Sequence, residues 1–271
     1  MTIQRPEDFR SSCRAGKFNT QTSGQCPGFA QANLLVIPIN AAQDFIELCE
    51  RNPVPCPLLA ITKPGDPTVF TKGSSIFKTT TDLSTDFPKY NVYDNGKLIS
   101  TQSDISKEWS KDHVGFLVGC SFSFEFALSK AGLTPRNMSQ GFTVPMYHTK
   151  KYLDPAGVFT NSTYVVSMRP YKLKDIPKVR EITKKFKPTH GEPIDWGFDA
   201  LERLGINSLE DTIFSDPIEL EEGEVPVFWG CGVTPQLAAA EASDKVKGTI
   251  MAHAPGHMIV IDVKDEEVPF L

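Results

Sequence analysis

Val114-Gly-Phe-Leu-Val-Gly-Cys-Ser-Phe-Ser-Phe-Glu-Phe-Ala-Leu128 contains a change of hydrophobic period within fifteen residues. The apolar, β-branched run Val114 to Val118 predicts a buried strand that stops at Gly119-Cys120. Beyond Ser121 the apolar residues Phe124, Ala127, Leu128 and Ala131 recur at helical spacing, and Gly132 supplies a helix-ending residue. A cysteine therefore sits in a tight strand-to-helix turn. Backbone N–H groups at such a turn favour a thiolate or hold a carboxylate or oxyanion. Pro226-Val227-Phe228-Trp229 runs into Gly230-Cys231-Gly232 in the same manner, with Thr234 as N-cap and Pro235 at the first helical position.

The flanking segments suggest a layered α/β protein. Near the start, a helix is expected around Pro6 to Arg14, and a Gly/Pro loop (24–33) leads into a strand at Leu34 to Ile37. Asn40 and Gln43 form a capping-box pattern for a helix reaching Arg51, before a strand at Leu58 to Thr62. That unit predicts parallel strands joined by a right-handed crossover. Asp94-Asn95-Gly96 between Val92-Tyr93 and Leu98-Ile99 is a hairpin signal. Strands are expected at 142–147 and 164–168, a basic amphipathic helix within 172–187, and a return to the first architecture at 201–206. The last segment reads as strand 225–229, helix 235–246, and strands 249–253 and 258–263. The expected fold class is thus α/β, with a mixed or mostly parallel sheet, flanking helices and a smaller α+β domain inserted mid-chain. Residues 1–80 and 200–271 would form the α/β domain and residues 81–199 the insertion.

Composition narrows the function classes. The 271 residues can bury a full core, and 28 Lys plus Arg against 33 Asp plus Glu give a net charge of -5. That balance argues against nucleic acid as a partner, and the basic run at 172–187 reads as the solvated face of a helix. No apolar stretch is long enough to span a bilayer, so no membrane partner is expected. Six cysteines without a C-x-x-C pair favour reduced thiols in an intracellular compartment, cytoplasmic or mitochondrial matrix. No dinucleotide fingerprint, P-loop, nucleophile elbow or pyridoxal-type lysine motif is present, so no cofactor is expected. The partner implied is a small carboxylic or amino acid; assembly into a homo-oligomer is left open.

Several residues carry candidate chemistry. Cys120 and Cys231 are either turn residues of a site or ordinary buried thiols. Glu125, a helical turn after Ser121, is either an acid–base group or half of an ion pair. Arg169 either clamps a substrate carboxylate or pairs with Glu125 or Asp86. If strands 225–229 and 249–253 end at one sheet edge, Cys231, His253 and His257 converge there. Ala254-Pro255-Gly256 breaks any helix between the two histidines, which weakens a zinc reading. No metal is expected.

Eight stretches resemble, in order, the hydro-lyase or D-glutamate cyclase family: Pro27 to Leu34, Lys63 to Pro67, Thr85 to Tyr90, Gly119 to Glu125, Val144 to Tyr147, Val165 to Pro170, Pro226 to Gln236 and His253 to Met258. The resemblance implies an α/β protein with a second, smaller domain. For the mammalian branch it implies conversion of D-glutamate to 5-oxo-D-proline with loss of water, and for microbial members a hydro-lyase activity. On this reading Glu125, Cys120, Cys231 and His253 are the catalytic candidates. Arg169, Asn33, Gln31, Asp86, Tyr147 and His257 are the substrate-binding candidates. Ser84 and Asn91 stand where the family pattern usually has arginine, which implies a different or less acidic substrate.

Overall fold

The computed structural model describes residues 2–271. In chain order its longer elements are α1 (Pro6–Arg14), β1 (Phe29–Pro38), α2 (Ala42–Arg51), β2 (Leu58–Lys63), β3 (Asp66–Lys72), β4 (Tyr90–Asp94), β5 (Lys97–Gln102) and β6 (His113–Gly119). There follow α3 (Glu125–Lys130), α4 (Arg136–Gln140), β7 (Met146–Tyr152), β8 (Thr163–Lys172), α5 (Ile176–Thr183), β9 (Asp195–Trp196), α6 (Asp199–Leu204), β10 (Glu224–Gly230), α7 (Thr234–Glu241), β11 (Thr249–His253) and β12 (Ile259–Lys264). The strands form two sheets. The larger runs β3-β2-β6-β1-β11-β4-β5, with β12 also paired to β1; the smaller runs β7-β8-β10-β9.

The class is α/β, but the expected mostly parallel sheet is not found: every strand ladder is antiparallel. β1 and β2 both pair antiparallel with β6, so they do run parallel to one another, but β6 lies between them. The opening strand-helix-strand unit is therefore split by a strand from fifty residues on. This is why β6 is apolar from Val114 onward: all seven of its residues, His113 included, are buried between flanking strands and the layers above and below. At the other end, β10 pairs with β8 in the small sheet while β11 pairs with β1 and β4 in the large one. That crossover joins two sheets instead of neighbouring strands of one. Consequently the expected division at residues 81 and 199 does not coincide with the sheets, since β4, β5 and β6 belong to the large sheet and β10 to the small one.

One apolar cluster spans both sheets, bringing Leu34, Val36 and Leu117 together with Val227, Trp229 and Tyr171. A second packs α2 and α7 on the opposite face of the large sheet around Phe45, Phe116 and Ala238. The basic helix is α5; it buries Ile176 and Val179 and leaves Lys178 and Arg180 in exposed ion pairs with Glu181 and Glu192. The hairpin turns at Asn95 and Gly96, with φ of 47° and 74° as a two-residue type I′ turn requires. Gly119 is fixed by close approach: a Cβ there would lie 1.9 Å from the Pro188 carbonyl oxygen. Gly119→Ala is expected to destabilise the fold by about 1–3 kcal/mol or more, measurable by urea unfolding.

Candidate functional site

β1 is long enough to take two partners along one edge. Its first half pairs with β12 and its second half with β11, while β6 runs along the other side. The segment Ala254 to Met258 lies between β11 and β12, so the ladder is interrupted opposite Asn33 and Leu34. His253 fills the break. The Leu34 N–H donates to its Nδ1 at 3.1 Å, and Gln236 Nε2 lies 2.8 Å from the same nitrogen. With the Leu34 N–H as the nearer partner, Nδ1 is assigned as acceptor and the neutral ring carries its proton on Nε2; the Leu34 carbonyl, 3.3 Å from the same nitrogen, is the partner of the other tautomer.

The two cysteine turns meet beside this break and repeat one another. Cys120 N–H donates to the Gln31 carbonyl and Cys231 N–H to the Val165 carbonyl, each at 3.2 Å. The Cys120 carbonyl accepts from Ser123 N–H at 3.1 Å, and the Cys231 carbonyl from Thr234 N–H at 3.0 Å. Both thiols share one small apolar cluster with Val144, Met146 and Met258. Gly232 presses on Asn33, since a Cβ there would lie 1.9 Å from Asn33 Nδ2. Asn33 in turn donates to the Gly119 carbonyl at 2.8 Å, tying the second turn to the first. Gln31 lies behind, paired with Thr22 through two 2.8 Å hydrogen bonds.

The electrostatics correct one expectation. Burial pushes the Cys231 thiol up to about 11 and the Cys120 thiol higher still; the Val233 and Phe122 N–H groups pull the other way and lose. Neither turn stabilises a thiolate. Both thiols should react with iodoacetamide at pH 8 no faster than the protein unfolds; rapid alkylation of the folded chain would contradict their burial. Burial likewise holds His253 down at about 4, so the ring is neutral at pH 7. Folding therefore excludes a proton that the unfolded histidine, near pH 6.5, takes up. The corresponding stability is present above pH 6.5 and is lost as pH falls toward 4. Substituting His253→Gln should flatten the acid limb of the stability curve by about one proton, or roughly 1.4 kcal/mol per pH unit, within that window.

Glu125 and Arg169 adopt the ion-pair alternative. Arg169 Nη2 and Nε donate to Glu125 Oε1 at 2.6 and 3.1 Å, and Nη2 also reaches Ser121 Oγ at 3.0 Å. The guanidinium lies over the rings of Phe124 and Trp229, and both ionic side chains are buried. Asn137 donates to the same carboxylate oxygen at 3.0 Å. Arg169 thus has no free edge for a substrate carboxylate. The pair instead braces Ser121, next to Cys120, against β8.

Three other candidates hold partners of their own. Tyr147 is buried in the cluster of Phe228 and Leu204, its hydroxyl donating to the Leu209 carbonyl at 2.9 Å. Asp86 is held by a two-pronged ion pair with Arg14. His257 is half-buried, its Nδ1 2.8 Å from the Pro255 carbonyl. Among the described residues no three His, Cys, Asp or Glu side chains come together as a metal-ion site, and no helix is long and apolar enough to cross a membrane. Sequence reasoning missed Gln236, which orients His253, and the Ser167 and Asn137 partners of the ion pair, whereas Ser121 was expected beside Glu125. Gln236 was detectable as the polar residue one helical turn past Gly232; the others had no local signal.

The fold and this site define an α/β protein with paired cysteine turns beside a buried histidine. Residues 114–262 match the model of the D-glutamate cyclase family. The chain is 44% identical to a Schizosaccharomyces pombe protein over 96% of its own length and 85% of the relative's. It is 43% identical to a Staphylococcus carnosus protein (97% and 96% covered) and 42% identical to one from Bacillus subtilis (98% and 99% covered). All three relatives carry a provisional hydro-lyase name. This chain belongs to the D-glutamate cyclase family. A nitrogen repressor-like protein from Methanococcus jannaschii, 10% identical, superposes over 94% of this chain and 98% of its own with a TM-score of 0.33, too slight a likeness to bear on fold or function.

Proposed function

We propose that the protein is a lyase that eliminates water from a small amino or hydroxy carboxylic acid, and that its substrate is D-glutamate, closed to 5-oxo-D-proline. The observation that carries this reading is the meeting of two like cysteine turns with neutral His253 at one break in the sheet. Family membership supplies the substrate class.

Cyclisation forms a bond between the α-nitrogen and the γ-carboxyl carbon and breaks one C–O bond of that carboxyl. The ammonium nitrogen gives up two protons, and these leave with the departing oxygen as water. The step therefore needs donors for the tetrahedral oxyanion and a short path for the protons. The Ser121 and Gly232 N–H groups, which donate to no backbone carbonyl among the described residues, fill the first role, acting by dipole in a site largely shielded from water. For the second, the protons pass from the nitrogen to the departing oxygen within the substrate, and the His253 Nε2–H assists by donating a hydrogen bond to that oxygen while the neutral ring keeps its own proton. Asn33, locked between the turns, positions the substrate. Glu125 and Arg169 act through the Cys120 turn as positioning residues, and the thiols are dispensable as nucleophiles.

The test is a mass-spectrometric assay of the purified chain with D-glutamate, L-glutamate and a panel of 2-hydroxy acids, with and without chelator. Formation of 5-oxoproline from D-glutamate alone is the expected result, with turnover kept in a Cys120→Ala/Cys231→Ala variant. Dehydration of another acid instead would transfer the same groups to a hydro-lyase that removes a proton beside a carboxylate. Binding without any product would identify a carboxylate-binding protein, and loss of activity with chelator a metal-dependent lyase.

A further inference from the structure

Between α7 and the β4–β11 part of the large sheet lies a cavity of about 370 Å³. Leu35, Leu98, Leu237 and Ile250 line it, with Phe214 held at a φ of 61° that a phenylalanine rarely adopts. No Lys, Arg, His, Asp or Glu contributes to its walls. Its polar side chains are Asn91, Gln236 and the Tyr93 phenol. Asn91 Oδ1 accepts from Thr101 at 2.8 Å and Nδ2 donates one hydrogen toward Tyr93 at 3.2 Å, leaving a second amide hydrogen. Gln236 turns its Nε2 to His253, which leaves its carbonyl oxygen without a hydrogen-bond partner among the described residues.

The lining thus offers a neutral donor and a neutral acceptor in otherwise apolar walls. A carboxylate or ammonium entering it would give up its hydration with no opposite charge to replace it. A carboxamide or lactam presents the complementary N–H and C=O and carries no charge, and an apolar body would fill the remaining volume. We propose that this cavity is a binding site for an uncharged carboxamide or lactam with an apolar body, and that Gln236 couples its occupancy to His253. The 5-oxo-D-proline of the proposed reaction keeps a carboxylate and is excluded by the same argument, so the ligand is an independent uncharged amide acting as an effector.

Methyl-labelled protein titrated with the uncharged amides hexanamide and 2-pyrrolidinone tests the proposal without reference to turnover. The expected result is saturable shifts at the Leu35, Leu237 and Ile250 methyls together with a shift of the His253 ring signals. Hexanoate, hexylammonium and 5-oxo-D-proline, each charged, should bind at least tenfold more weakly than hexanamide. Tighter binding of 2-pyrrolidinone identifies a cyclic lactam as the ligand, and tighter binding of hexanamide an open-chain carboxamide. Ala240→Phe, which fills the cavity from α7, should weaken binding at least tenfold. The proposal is overturned if no amide binds, if the charged analogues bind equally well, or if the shifts lie elsewhere. Undiminished binding by a folded Ala240→Phe variant would overturn it too.

Discussion

Replacing Arg169 by Met is expected to cost about 3–5 kcal/mol of stability, because the Glu125 carboxylate is then buried without its counter-charge. Against a typical total of about 5–15 kcal/mol, that leaves the chain marginal or unfolded at 25 °C. The arginine also supplies the link to Ser121 and fills the space between Phe124 and Trp229, so its removal loosens the Cys120 turn as well. Adding Glu125→Gln should recover much of the loss, because a neutral amide still accepts from Asn137 and needs no counter-charge. A double-mutant cycle by urea unfolding measures this coupling. If Arg169→Met instead costs less than about 1 kcal/mol and raises KM more than tenfold, the guanidinium holds substrate and the bracing role is wrong.

The second large effect belongs to His253. In His253→Gln the amide oxygen can still accept from the Leu34 N–H, so the break in the sheet keeps its plug and the fold survives. The imidazole's hydrogen bond to the departing oxygen is gone, and kcat/KM on D-glutamate should fall by about 10²–10³-fold. Thermal unfolding near neutral pH should shift little, which separates a lost chemical group from a lost fold. A variant within tenfold of wild type would leave His253 as a structural plug and place the donor to the departing oxygen elsewhere. Gly232→Ala offers a complementary view: its Cβ would displace Asn33, and activity should drop although no candidate side chain has been altered.

Short-range features were legible in the residues because local chemistry decides them. α1 spans Pro6–Arg14 as expected, the Asn95-Gly96 turn adopts the conformation its residues favour, and both glycine–cysteine turns link a strand to a helical turn. Even local signals gave way where tertiary partners competed. The capping box at Asn40 is not formed because a 3-10 turn, Ile39–Ala41, intervenes and makes Ala41 the cap. Thr234, expected to cap α7, instead directs its hydroxyl to the Val165 backbone and ties α7 to β8.

By itself the sequence determined most of the strands and helices, that two cysteines stand in like turns, and which family the chain resembles. Each follows from hydrophobic period, turn chemistry or motif order along the chain. It missed β3, read the start of β1 from Phe29 as loop and placed β7 too early. Strand partnership was decided only in three dimensions. An apolar run such as Val114 to Val118 satisfies its hydrogen bonds equally well in parallel or antiparallel ladders, and the choice of neighbour depends on strands far away in sequence. The same holds for the site. Arg169 and Glu125 are separated by 44 positions and His253 and Leu34 by 219, and both pairings arise only once burial forces each polar group to find the nearest available partner.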